Sequence, residues 1–221
     1  MYPDTNPAED RARWRHAFRL TMAFTILLWI IRGVEVLFHL DLARYGVFPL
    51  QPGSLVGILV GPLIHGSWSH LFANTPPILI LGTALLYGYP RSAKIVITTV
   101  YLASGLGVWL FARPAYHIGA SGLTFGVLFF LLVIGILRRD RRAITLTMIV
   151  FFLYGSMIWG IFPTRPEISF ESHFFGAATG TVLAFLLRHR DPAPAQKTYS
   201  WENECDEGEE EDPDDIDNEA G

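Results

Sequence analysis

The feature that most constrains this chain is how its apolar residues are spaced. They fall in six blocks, at about residues 17–40, 69–87, 95–112, 121–137, 143–162 and 172–187, divided by short polar turns. A helix needs roughly 20 apolar residues to cross the hydrocarbon core of a bilayer. None of the blocks alternates at period two, as a membrane barrel strand would. Of 221 residues, 51% are hydrophobic, too many and too clustered for a soluble domain of this size. The chain reads as an all-α polytopic membrane protein with six transmembrane helices, and the lipid bilayer is its first partner.

The segments between and around the blocks divide the chain into three parts. Residues 1–16 are polar, with Pro3, Pro7 and three arginines (Arg11, Arg13, Arg15), and read as a short mobile cytoplasmic arm rather than a signal peptide. Residues 17–190 form the membrane domain. Residues 191–221 are Pro-rich and then acidic, and read as a disordered cytoplasmic tail. Truncation after Arg190 is therefore expected to leave function largely intact. Residues 201–219 carry twelve acids and no base, so the formal charge of −4 conceals a body at about +8. The single cysteine, Cys205, lies in that tail, which excludes an intramolecular disulfide and a cysteine-built metal site. No metal, cofactor or nucleic-acid partner is expected.

Two details sit inside this frame. The connection 41–68 is broken by Pro49, Pro52 and Gly53, and its apolar stretch 55–63 is too short to span, so it reads as interfacial or re-entrant. In the first block, Arg32 and Glu35 share a helical face, either as a paired or snorkelling structural site or as a functional intramembrane charge.

Charge orients the bundle. The arm, the 2–3 turn, the 4–5 loop (Arg138, Arg139, Arg141, Arg142) and the exit of segment six hold most of the 17 basic residues. The 1–2, 3–4 and 5–6 connections hold Arg44, Arg113 and Arg165, one each. Under the positive-inside rule both termini are cytoplasmic, with the cell (inner) membrane as the expected location. Segments two, four and six then enter from the outer face. His70 and Asn74 in the first turns of segment two, Ser121 at the head of segment four and His173 at the head of segment six therefore share one depth.

Those four residues suit acyl-transfer chemistry. In segment six, His173, Gly176, Ala177, Gly180 and Ala184 make one small-residue stripe, which lets a neighbouring helix approach and aims His173 at it. Ser121, Gly122, Phe125 and Gly126 make a matching face on segment four. Packed together, the two faces bring the Ser121 hydroxyl within reach of the His173 imidazole, a base-activated serine. No acid has the spacing to orient His173, so a dyad is expected. His70 and Asn74, four apart, aim at one point as oxyanion donors, joined by the free backbone N–H of Ser121 at a helix start. Singly, each of these side chains reads first as a satisfied helix-packing residue, and it is their convergence at one depth that favours the functional reading.

The combination His65-x4-His70-x3-Asn74, Gly119-Ala120-Ser121-Gly122 and His173-x2-Gly176-x3-Gly180 resembles the rhomboid intramembrane serine proteases over residues 17–190. The resemblance implies a six-helix rhomboid-like bundle with an interfacial first loop. It implies Ser121 as nucleophile, His173 as general base, and His70, Asn74 and the Ser121 amide as the oxyanion hole. His65 would support the site near its entrance, Gly119 and Ala120 would allow close backbone approach, and Phe125 would pack on the base. Segment five matches the helix proposed to gate lateral entry of transmembrane protein substrates. The Trp-Arg pair found in the first loop of many members is missing between Asp41 and His65.

Two other classes compete. A non-catalytic rhomboid-like protein would bind client transmembrane helices without cutting them. A small transporter would line a pathway with the same polar residues, but no inverted repeat relates the two halves. The sequence names neither the substrate nor the oligomeric state.

Overall fold

The computed structural model describes residues 7–163 and 168–192. It contains helices α1 (Pro7–Leu37), α2 (Gly57–Val60), α3 (Trp68–Gly88), α4 (Pro90–Phe111), α5 (Ser121–Arg138), α6 (Arg141–Tyr154) and α7 (Phe170–Leu187). A 3-10 stretch, Gly155–Ile161, prolongs α6. Counting that extension, six helices are long and apolar enough to cross a membrane, and α2 is a single turn in the first loop. Among the described residues there is no strand, only an isolated bridge between Val47 and His117. The protein is an all-α polytopic membrane protein.

The bundle is built around α5. Two thirds (67%) of its apolar stretch is buried, against 6% for that of α6 with its extension. Leu128, Phe130, Leu131 and Ile134 of α5 meet Leu81 and Leu85 of α3, Val96 and Val100 of α4 and Ala184 of α7 in one core. A helix apolar all round belongs in such a centre, and a helix exposed on most sides belongs at the edge facing lipid. The closest packing is between α5 and α7, and glycine makes it possible. A Cβ on Gly176 would overlap the Gly122 carbonyl oxygen, and one on Gly180 would overlap that of Gly126. Bringing two backbones this close gains van der Waals contact that lipid cannot supply.

Polar caps fix the ends that matter. Ser67 starts α3 by accepting from the His70 N–H (3.0 Å), and Asp140 starts α6 by accepting from the Ala143 N–H (3.0 Å). α5 ends on Arg139 in the left-handed conformation (φ 56°). α3 runs unbroken through Pro76 and Pro77.

The first loop is a chain of short turns, Pro52–Ser54, α2 and Gly61–Leu63. It seats against α4 where Gly105 leaves room for Ile58, and against its own Gly46, whose backbone a Cβ on Gly57 would strike. The Arg32 and Glu35 side chains form an ion pair at 2.6 Å, and Glu35 also accepts from the Leu42 N–H at 3.3 Å. That pair ties the end of α1 to the loop after it, which makes it a paired structural site.

Two boundaries differ from the sequence reading. The arm is helical from Pro7 rather than mobile through residue 16. Pro7 suits a first helical position, Trp14 stacks on Phe18 (5.4 Å between centroids), and the Tyr87 hydroxyl donates to the Asp10 carboxylate (3.0 Å). At the other end, the body extends past Arg190. Asp191 is 2% exposed. It accepts from the Arg91 N–H (2.8 Å) and the Ser92 hydroxyl (2.5 Å), and so caps the start of α4. Arg138 and Arg142 donate to the Asp191 and Pro192 carbonyls at 2.7 and 2.8 Å. The acidic residues 201–219 lie outside the described residues.

Candidate active site

Ser121 is the first residue of α5 and His173 lies in the first turn of α7. The glycine seam sets how far apart they are. Its first contact, Gly122 against Gly176, lies one residue beyond Ser121 and three beyond His173. The Ser121 hydroxyl is 2.8 Å from His173 Nε2. The other ring nitrogen, Nδ1, is 2.9 Å from the Gly160 carbonyl. A carbonyl only accepts, so Nδ1 carries the proton. In the neutral ring Nε2 then presents a lone pair and accepts from the serine. The imidazole is buried, and Phe125 from α5 covers one face, parallel within 5° at 3.9 Å between centroids.

Gly160 is a member of the site that sequence reading missed. It contributes a main-chain oxygen, so no side chain advertised it. It comes from the 3-10 extension of α6, seven residues long. 3-10 runs of more than three or four residues are uncommon and often mark functional or strained sequence. A Cβ at Gly160 would lie 2.6 Å from Phe125 Cζ and 3.4 Å from His173 Nδ1. Glu171 faces Arg113 (3.6 Å), and the Arg113 guanidinium also donates to the Ile168 carbonyl at 2.7 Å. Glu167, the other loop acid, lies outside the described residues.

The polar groups of α3 meet the loop before Ser121. Gly119 takes φ +105°, a conformation that favours glycine, and a Cβ there would lie 2.8 Å from His70 Nε2. The His70 ring therefore rests on the backbone two residues before Ser121. Ala120 is fully buried with Leu28, Leu71 and Ile78. Asn74 is buried, and its amide donates to the His70 carbonyl at 3.0 Å. One of its two N–H groups thus satisfies its own helix and only the other remains for a ligand. The Ser121 N–H, at the first position of α5, has no intrahelical acceptor. His65 is 1% exposed and packs obliquely on His70 (5.0 Å). Burial, with His70 beside it, lowers its pKa to about 4. Gly122 faces Ser172 of α7, whose hydroxyl a Cβ would strike.

A half-buried serine hydrogen-bonded to a buried histidine with a fixed tautomer, at the head of two glycine-packed helices, is a specific arrangement. The family model of the rhomboid domain matches residues 52–190. The chain belongs to the rhomboid family. Curated relatives also match the chain, one of them named for the family. An uncharacterized protein of Mycobacterium tuberculosis is 34% identical over 83% of this chain and 80% of its own length. One of Mycobacterium leprae is 32% identical over 89% and 80%. RHOMBOID-like protein 4 of Arabidopsis thaliana is 29% identical over 64% of this chain and 34% of its own. The rhomboid match takes in the first-loop turns, α3 to α7 and the 3-10 extension of α6, so every element that carries a site residue lies inside it. Among the described residues no group of His, Cys, Asp or Glu is placed to hold a metal.

Proposed function

We propose that this rhomboid protein is a serine-type intramembrane endopeptidase acting through a Ser121–His173 dyad. The observation that carries the reading is the 2.8 Å hydrogen bond from the Ser121 hydroxyl to a Nε2 left bare by the Nδ1–Gly160 bond. In the reaction, the Ser121 Oγ attacks the scissile carbonyl carbon and its proton passes to His173 Nε2. The tetrahedral oxyanion accepts from the Ser121 N–H, the His70 ring and the second amide hydrogen of Asn74. The carbon–nitrogen bond then breaks, and the leaving amine takes the proton from His173. Water attacks the resulting ester, with His173 removing the water's proton, and Ser121 regains its hydrogen as the acid leaves.

The substrates are transmembrane segments of other proteins. A stable helix hides its carbonyls in its own hydrogen bonds, so the preferred segment is one that unwinds readily, rich in small residues. Both termini sit on the cytoplasmic side and the site opens to the outer face, as the clustering of arginines at the Arg138 end of α5, opposite Ser121, supports. A non-catalytic relative has no need of a serine hydrogen-bonded to an oriented base.

Two experiments test this. Purified protein reconstituted with a single-span membrane protein bearing a Gly/Ala-rich segment should yield two fragments, and Ser121→Ala should yield none. Fragments of equal yield from Ser121→Ala would refute the mechanism. Cys205, the chain's only cysteine, reports topology: a membrane-impermeant maleimide should label it in inside-out vesicles and not in right-side-out ones. The reverse pattern would overturn the orientation.

A further inference from the structure

A second Ser–His pair lies beside the first. His117 precedes Ser121 by four residues and is buried. Its Nδ1 is 2.6 Å from the Ser169 hydroxyl, and its Nε2 is 3.0 Å from the Arg113 carbonyl. The carbonyl only accepts, so Nε2 carries the proton. Nδ1 of the neutral ring then accepts the Ser169 hydrogen. This repeats the Ser121–His173–Gly160 pattern, but with a serine that is already in use. Ser169 is the N-cap of α7: its hydroxyl accepts from the Ser172 N–H (3.4 Å) and its carbonyl from the His173 N–H (3.4 Å). The second pair therefore ends on the backbone of the base itself.

His117 also gathers the other loops. Its N–H donates to the Val47 carbonyl (2.8 Å) and its carbonyl accepts from the Val47 N–H (3.0 Å). Two residues on, the Gly119 N–H donates to the Gly61 carbonyl (2.9 Å). One residue thus joins the first loop through its backbone, and the strap that delivers Ser121 and the helix that delivers His173 through its ring. The glycine seam sets the spacing of α5 and α7 but leaves the rotation of the first turn of α7 to its cap. We propose that His117 is a positioning residue which, through Ser169, holds the first turn of α7 so that the His173 base stays in register with Ser121.

The charged groups around this ring are Arg113, on its own strap, and Glu171, on α7. Burial lowers the His117 pKa, the Arg113 carbonyl and Glu171 oppose that, and the Arg113 charge adds to it. The neutral tautomer described above is the form this balance favours at neutral pH. The Ser169 link needs that form, because a doubly protonated ring has no acceptor for the hydroxyl.

The inference rests on the dyad reading, and the test separates the two. In the purified full chain, the rate constant for phosphonylation of Ser121 by a fluorophosphonate probe is measured together with kcat and KM on the reconstituted substrate. His117→Gln and Ser169→Ala should each lower the rate constant and kcat by about tenfold with KM within about twofold, the scale expected of a slightly misplaced base. Ser169→Thr, which keeps the hydroxyl, should restore most of the rate. The double variant should lose no more than either single one, because the two residues act as a unit. Wild-type rates in His117→Gln, a loss confined to KM, or additive losses would overturn the proposal while leaving the dyad intact. Unchanged labelling in Ser121→Ala would instead remove the reading beneath it. Should Ser169→Ala fail to purify folded, His117→Gln decides alone, since it leaves the Ser169 cap in place.

Discussion

Phe125 and His173 lie ring on ring, 3.9 Å between centroids and 5° from parallel, and Gly160 closes the edge of the pair. The phenyl fixes the plane of the imidazole and the Gly160 carbonyl fixes its proton. In the proposed dyad they would take the place of the third acidic group of a soluble triad, without burying a charge in the membrane, where its desolvation is costly.

The Gly160 position is therefore sensitive to a single methyl. Gly160→Ala would push the Phe125 edge and crowd His173 Nδ1. The expected outcome is a kcat lowered by about tenfold or more with KM little changed, since a base displaced by a fraction of an ångström loses its alignment. Steady-state kinetics on the reconstituted substrate measure this, and a wild-type kcat would show that the carbonyl does not orient the ring.

The seam between α5 and α7 makes a stability prediction with an internal control. Gly180→Ala drives a Cβ into the Gly126 backbone, which cannot move without parting the helices. A loss of about 3 kcal/mol or more follows, from overpacking at a site with no room to relax. Gly33 in α1 has nothing within 4 Å of the same added atom. There Gly33→Ala should be neutral or stabilising by up to about 1 kcal/mol. Thermal unfolding in detergent compares the two, and equal midpoints would contradict the seam.

Asp191 sets where the chain can be cut. Deleting everything after Pro192 should leave the unfolding midpoint unchanged. Deleting everything after Arg190 removes the cap of α4 and the carbonyl that Arg138 holds, changing Asp191→Ala removes the cap alone, and each should cost about 1–3 kcal/mol. Identical midpoints for the two truncations would show that Asp191 holds nothing.

His65 gives the stability a pH dependence with a definite sign. Its folded pKa, about 4, lies below the ordinary 6.5, so the unfolded chain binds the proton more readily. The stability contributed by the neutral buried ring is complete above about pH 6.5 and is lost as pH falls from there towards about 4. The midpoint should therefore drop between about pH 7 and 5, and drop less in His65→Gln, which has no such proton to gain. Parallel pH profiles for the two proteins would rule His65 out as the source.

How much of this was legible in the sequence depends on what kind of atom does the work. Ser121, His173, His70 and the glycines of the seam were legible, because side-chain type and spacing place them on facing helical stripes. The Arg32–Glu35 pair was legible for the same reason. Gly160 was not, because it acts through a main-chain oxygen in a stretch that reads as more of the same apolar helix. The link through Ser169 was not, because His117 and Ser169 sit in connections with no periodicity to place them on facing stripes. The bond from Asn74 to the His70 carbonyl was not legible, because it is a rotamer choice that spacing does not reveal. Asp191 was hidden by its neighbours, since one capping acid looks like the start of an acidic tail. The helical start at Pro7 was hidden because polar residues give no apolar signal, and its support comes from Tyr87 on α3.

The most direct measurement of the central claim is the intact mass of the detergent-purified protein after treatment with a fluorophosphonate. The expected result is one adduct per chain, located at Ser121 by peptide mapping, absent in Ser121→Ala and nearly absent in His173→Ala, where no base removes the serine proton. Equal labelling of all three proteins, or an adduct on another residue, would contradict it.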